Sequence, residues 1–177
     1  MSSKEQNPQA LQTLDELVTA LSEEDSTNYS DILRLAQLPS TAFESCCSWS
    51  SESYTRNCVI DNEDFELILL CWQPGQLTPI HDHGGEECWV KIIEGEFKET
   101  VYKEDDAGIL EMVKTTESKA NDITYMIDFM GFHSLENLSE KKSLSLHLYA
   151  KPIRSCQVLD EETGELMSKD LTYDTIA

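Results

Sequence analysis

The chain has 177 residues, 40% of them hydrophobic, and carries a net charge of −21 from 34 acids and 13 bases. That length suits one domain with a sizeable core, and that apolar content excludes a chain disordered throughout. The acidic balance opposes binding to nucleic acid or to an anionic membrane surface.

The opening "MSSKEQNPQA" has no apolar run behind a basic start, so no signal peptide is expected, and these ten residues read as solvated. Leu11, Leu14, Leu17, Val18 and Leu21 then recur at helical spacing. A second helical stretch carries Tyr29, Ile32, Leu33 and Ala36 and stops at Pro39, and a third short helix is expected over 40–47. From residue 54 the texture changes to short runs rich in Val, Ile, Thr, Tyr and Phe. Strands are expected over 55–60, 64–72, 86–93, 96–103, 109–115, 122–127, 143–149, 156–160 and 165–173. Glu94-Gly95 is expected to turn a tight hairpin, and Glu162-Thr163-Gly164 another. Many short strands at regular spacing imply a β-sandwich or barrel with helices at one end. Residues 1–53 form the helical segment and 54–177 the barrel, in one structural domain. The longest apolar run, "LILLCW" at 67–72, is too short to span a bilayer. Six cysteines, at 46, 47, 58, 71, 88 and 156, form no C-x-x-C pair, which favours free thiols in a reducing cytosol. Cys58 and Cys71 lie in apolar runs and read as core.

The chain has four histidines, and two of them open the stretch "HDHGGEECWVKIIEG" at 81–95. Residues i and i+2 of a strand share a face, with Cα atoms roughly 6.6 Å apart, so His81 and His83 can converge on one ion while Asp82 faces away. A third ligand must come from elsewhere, either from His133 in "GFHSLEN" or from His147 in "SLSLHLY". Cys88 follows His83 by five residues, which in an unbroken strand would send the two to opposite faces; Gly84-Gly85 allows a bend that frees this parity.

The flanks give the pair a context. Gly75 precedes His81 by six residues and Gly95 follows Cys88 by seven. This resembles the first motif of the cupin superfamily, with Cys88 where the usual glutamate ligand stands. His133 and Asn137 have the spacing of the second motif, although its Pro-x-Gly-x-x-His lead is replaced by Gly131-Phe132-His133. Without the glutamate, three neutral imidazoles leave the ion its full charge. Three octahedral positions then stay open to an anionic, chelating substrate and O2. Zinc with three histidines and a water is the competing reading.

Taken in order, "YTRN", "HDH", Cys88, Gly131-x-His133 and "SLHLY" resemble the thiol dioxygenases, and among them the cysteine dioxygenase family, from about Tyr54 to Tyr173. The resemblance implies a mainly β cupin, a jelly-roll β-barrel with N-terminal α-helices, that binds Fe2+ through His81, His83 and His133. It implies that L-cysteine chelates the iron through thiolate and amine and that O2 takes the remaining position. Both oxygens then pass to sulfur, giving cysteine sulfinate without flavin, nicotinamide or oxoglutarate. Arg56 is expected to hold the substrate carboxylate through its guanidinium fork, supported by Tyr54. Ser145, His147 and Tyr149 alternate along one strand face and are expected to form a hydrogen-bond relay that orients the Tyr149 hydroxyl. The resemblance further implies that Cys88 can join Tyr149 in a thioether, fixing the ring. Two departures stand out: Ala150-Lys151 in place of the Ser-Pro that often follows the tyrosine, and "GGEE" between His83 and Cys88. The rival functions are a dioxygenase of another small thiol of the 3-mercaptopropionate type, a zinc-dependent cupin lyase or isomerase, and a non-catalytic cupin. Arg56 favours cysteine over the first. A cytoplasmic monomer is expected.

Overall fold

The computed structural model describes residues 9–177; residues 1–8, most of the stretch read as solvated, lie outside the described part. Helix α1, Leu14–Glu23, begins at a capping box: the Thr13 hydroxyl accepts from the Glu16 N–H and the Glu16 carboxylate accepts from the Thr13 N–H. Asp25 caps α2, Ser26–Leu35, by accepting from the Thr27 N–H. Leu11, expected within the first helix, lies ahead of its cap and pairs instead with Ala36. The third helix is a 3-10 turn, Ser40–Cys46. Among the described residues, no helix is long and apolar enough to cross a membrane.

Eleven strands follow: β1 Thr55–Asp61, β2 Glu66–Trp72, β3 Cys88–Glu94, β4 Glu96–Glu104, β5 Leu110–Lys119, β6 Ile123–Met126, β7 Phe132–Asn137, β8 Ser143–Tyr149, β9 Ser155–Leu159, β10 Leu166–Asp170 and β11 Thr175–Ile176. Six of them form one sheet in the order β11-β1-β2-β8-β3-β6; β5-β4-β7 and the β9-β10 hairpin form two smaller ones. The irregular segment 75–83 stitches the smaller sheets together. Its Thr78 and His81 N–H groups donate to Leu135 and His133 of β7, and its Asp82 N–H donates to Gln157 of β9. The result is a mainly β, two-layered cupin architecture, and its hydrogen-bonded strands make separate sheets rather than one closed ring.

Strands β2 and β8 are buried along their whole length because both faces are covered, which is why they read as unbroken apolar runs. Leu67, Leu69, Leu146 and Leu148 face the helices, packing with Leu17, Leu21, Leu33 and Phe43. Ile68, Leu70 and Trp72 face inward with Val90, Phe97 and Leu135. Period-two alternation therefore sends Ser145, His147 and Tyr149 into the space between the layers. Cys58 and Cys71 are buried as expected, and every cysteine is a free thiol.

Three expectations need correction. Glu94-Gly95 does not close a hairpin: β3 pairs with β6 and β8, β4 with β5 and β7, and the chain crosses between layers at this point. Gly95 has φ 102, and a Cβ there would overlap the Ser143 hydroxyl, so the crossover favours glycine and strains any other residue. Strand β7, which carries His133, was absent from the expected set because "FHSLEN" has too little apolar alternation. The run 165–173 is cut to Leu166–Asp170, with β11 pairing separately and in parallel with β1. The hairpin at 162–164 does join β9 to β10.

Candidate metal centre

His81 and His83 sit in the irregular segment rather than in a regular strand. His81 and His133 exchange both backbone hydrogen bonds, at 3.0 and 2.9 Å, as a directly opposed antiparallel pair. Opposed residues share a face, so both imidazoles project to the same side. His83 follows two residues later, and one nitrogen from each of His81, His83 and His133 lies within 4.8 Å of the others. Asp82 faces away, and its Oδ1 accepts from the Gly84 and Gln157 N–H groups. Gly84 has φ 61, and a Cβ there would stand 2.5 Å from the Ser155 carbonyl oxygen. The first glycine of "GGEE" thus lets β9 approach, and the turn resets the parity between His83 and Cys88.

The hydrogen bonds of two ligands fix their tautomers. His81 Nδ1 donates to the Pro79 carbonyl at 2.9 Å, and His133 Nδ1 donates to Glu99 Oε1 at 2.7 Å. Each leaves Nε2 with its lone pair for a metal. Burial and the neighbouring His133 push His81 down to about 3 despite the Pro79 bond, and burial holds His83 well below its ordinary range. These imidazoles are neutral at physiological pH, the state a ligand needs. The donor set therefore fits a divalent transition metal.

A cavity of about 30 Å³ opens beside the cluster, lined by Tyr54, Arg56, His81, Tyr149, Cys156 and Lys169 among others. Arg56 Nε donates to the Thr172 carbonyl at 3.2 Å, while its buried Nη2 has no acceptor among the described residues. Burial opposes the Arg56 charge, but Tyr149, Glu66 and Tyr54 outweigh it and hold the group above its usual range. Tyr54 stacks on Trp72 at 4.7 Å between ring centroids.

Of the expected relay, Trp72 Nε1 donates to Ser145 Oγ, which bonds His147 Nε2 at 2.9 Å. Among the described residues no hydrogen bond continues from His147 to Tyr149, which lines the small cavity together with Arg56. Cys88 and Tyr149 stand directly opposite on β3 and β8, both buried. Burial raises both the Cys88 thiol and the Tyr149 phenol far above their ordinary ranges. Asn137 serves the backbone, donating to the Gln73 and Lys141 carbonyls.

Four neighbours of the site lay outside the expected set. Glu99 orients His133; its signal is a carboxylate on the same face of β4 as the buried Phe97. Glu66 is fully buried opposite Tyr149, and burial raises its pKa although it accepts a hydrogen bond from the Tyr173 hydroxyl. Its signal is an acid heading the wholly apolar strand "ELILLCW". Cys156 and Lys169 come from the β9-β10 hairpin and carry no chemical motif.

The model of the family "Cysteine dioxygenase type I" matches residues 1–162. A cysteine dioxygenase type 1 from Homo sapiens is 38% identical over 124 residues, 68% of this chain and 62% of that protein. One from Danio rerio is 30% identical over 174 residues, 94% of this chain and 87% of that protein. The chain thus spans under two thirds of the human relative it matches. Among solved structures, an oxalate decarboxylase from Lactobacillus farciminis superposes with a TM-score of 0.53 at 19% identity, over 66% of this chain and 34% of that one, a likeness of fold alone. With the family model matching most of its length, and the cluster His81, His83 and His133 sharing a cavity with Arg56 through His81, this chain belongs to the cysteine dioxygenase type I family.

Proposed function

We propose that this chain is a cysteine dioxygenase that converts L-cysteine and O2 to cysteine sulfinate, with Fe2+ held by His81, His83 and His133. The observation that carries this reading is the Arg56 guanidinium. Arg56 lines a cavity together with His81, one of its guanidinium nitrogens is buried without an acceptor among the described residues, and a carboxylate is the group that would satisfy it. Arg56 and Tyr54 would bind and orient the carboxylate, leaving thiolate and amine toward the three imidazoles. Ferrous iron in that position supplies the one-electron chemistry that lets dioxygen react with a thiolate. Both oxygens end on sulfur, which loses four electrons as O2 gains four, so the reaction balances without a reductant. The Tyr149 phenol, kept protonated by burial, supplies a hydrogen bond to the reacting atoms, and Cys88 packs against its ring. Glu66, Trp72 and the Ser145–His147 pair form the polar wall that keeps this interior ordered.

The test is oxygen uptake by metal-free protein resupplied anaerobically with Fe2+ or Zn2+. Uptake with L-cysteine and Fe2+, one O2 per sulfinate formed, supports the reading. Uptake that is absent with iron, or equal with zinc, overturns it.

A further inference from the structure

We propose that Lys169 is a specificity-determining residue that sorts thiol substrates by charge at the mouth of the pocket, favouring thiol carboxylates over cationic thiols. This rests on the thiol-oxidising function proposed above.

The placement follows from the β9-β10 hairpin. Lys169 stands directly opposite Cys156 in its register, and directly opposed residues share a face. Cys156 is buried and lines the small cavity, so the Lys169 side chain starts on the cavity side. Leu171, two residues on, lines the cavity as well. Outside this cavity runs a groove of about 330 Å³, and the two share Tyr54, Arg56, Pro79, Lys169 and Leu171. Lys169 therefore stands at the boundary between solvent and site.

Its charge is available there. Arg34 is paired with Asp31, Lys98 with Glu136, and Arg154 with Asp61 and Glu66. The Lys169 side chain makes no ion pair and no hydrogen bond among the described residues, and the residue is exposed. Globally the chain carries −21 and repels anions. The lining of the small cavity holds two cations, Arg56 and Lys169, and no carboxylate, while in the groove outside it the same two cations offset Asp170 and Asp174. Arg56 alone would select a carboxylate by geometry; a second, unpaired cation adds a preference that depends only on the net charge of the arriving thiol.

One exposed charge several ångströms from the ligand acts weakly and is screened by salt. The expected effect is about three- to fivefold for each unit of charge changed at position 169. The experiment compares wild type with Lys169→Gln, Lys169→Glu and Lys169→Arg, using 3-mercaptopropionate (anion), L-cysteine (zwitterion) and cysteamine (cation). Oxygen uptake gives kcat/KM, and intrinsic fluorescence titration, reported by Trp72 stacked on Tyr54, gives Kd independently of turnover. In Lys169→Glu the preference for 3-mercaptopropionate over cysteamine should fall roughly tenfold or more. Lys169→Gln should lie between, Lys169→Arg should match wild type, and added salt should compress the differences. Ratios unchanged within about twofold across all variants, in turnover and in binding, overturn the assignment of Lys169. Binding ratios that shift as expected without any turnover uphold Lys169 and overturn the dioxygenase reading instead.

Discussion

Glu99 is the carboxylate that holds the imidazole of His133, a proposed metal ligand, so replacing it tests how far this centre depends on its surroundings. The bond from His133 Nδ1 to Glu99 Oε1 is 2.7 Å long, and both side chains are nearly inaccessible, at 2% and 9%. Glutamine keeps an oxygen able to accept that hydrogen but removes the charge; leucine removes both. Hydrogen bonds to charged groups are worth about 1.5–3 kcal/mol and neutral ones about 1, so Glu99→Gln should weaken metal binding about tenfold. Loss of the whole contact in Glu99→Leu should approach 100-fold, the upper range for losing the partner of a metal-bound histidine. His133→Ala, which deletes a ligand, should lose more than either. Metal-free protein is titrated anaerobically with Fe2+ or Co2+ against a competing chelator, and circular dichroism confirms that each variant is folded. Wild-type affinity in both folded Glu99 variants would mean that Glu99 merely fills space beside a ligand that needs no support.

The other expectations concern substrate, cross-link and fold. Arg56→Gln should lower kcat/KM for L-cysteine about tenfold or more while changing cysteamine, which lacks a carboxylate, far less; equal losses for both thiols would take the carboxylate role from Arg56. Protein incubated with cysteine and Fe2+ in air should become lighter by two hydrogens, with Cys88 and Tyr149 fragments joined by a bond that reductant leaves intact. An unchanged mass after many turnovers, with Cys88 still open to alkylation in denaturant, would leave the thiol as packing. Gly95→Ala should cost about 1–3 kcal/mol of stability, read as a lower urea midpoint, because φ 102 strains any side chain and the new Cβ meets the Ser143 and Ser139 hydroxyls. A wild-type midpoint would show that the crossover between the layers relaxes freely.

Local chemistry was legible in the sequence wherever one strand or one turn carried it. Ser145, His147 and Tyr149 share a face because β8 is regular, and that face follows from period two alone. That His81 and His83 converge was legible, but not that they lie in an irregular segment, since what orders it is backbone bonding to β7 and β9 from distant parts of the chain. Glu94-Gly95 misled for the same reason. A two-residue break between alternating runs looks alike whether the second run returns beside the first or crosses to another layer, and the Ser143 contact that decides between them is long-range. Strand β7 was hidden because four of the six residues of "FHSLEN" are polar, and on its inward face a histidine and an asparagine flank the single aliphatic Leu135. Lys169 could be placed only by the register of its hairpin, which no spacing along the sequence encodes.

The backbone pairing of His81 with His133 has a consequence for how metal enters and leaves. Two ligands from distant parts of the chain are locked face to face by main-chain bonds that require no ion, and two of the three rings are already oriented by Pro79 and Glu99. The cage is thus preorganised, so binding energy is not spent on ordering the chain. Under the proposed metal role such a centre would exchange its ion by ligand dissociation rather than by unfolding, and the amide hydrogens of His81 and His133 should stay protected from solvent exchange when the metal is stripped. Under the proposed metal role, repeated stripping and reloading should leave the fold intact, read as an unchanged circular dichroism spectrum after each cycle.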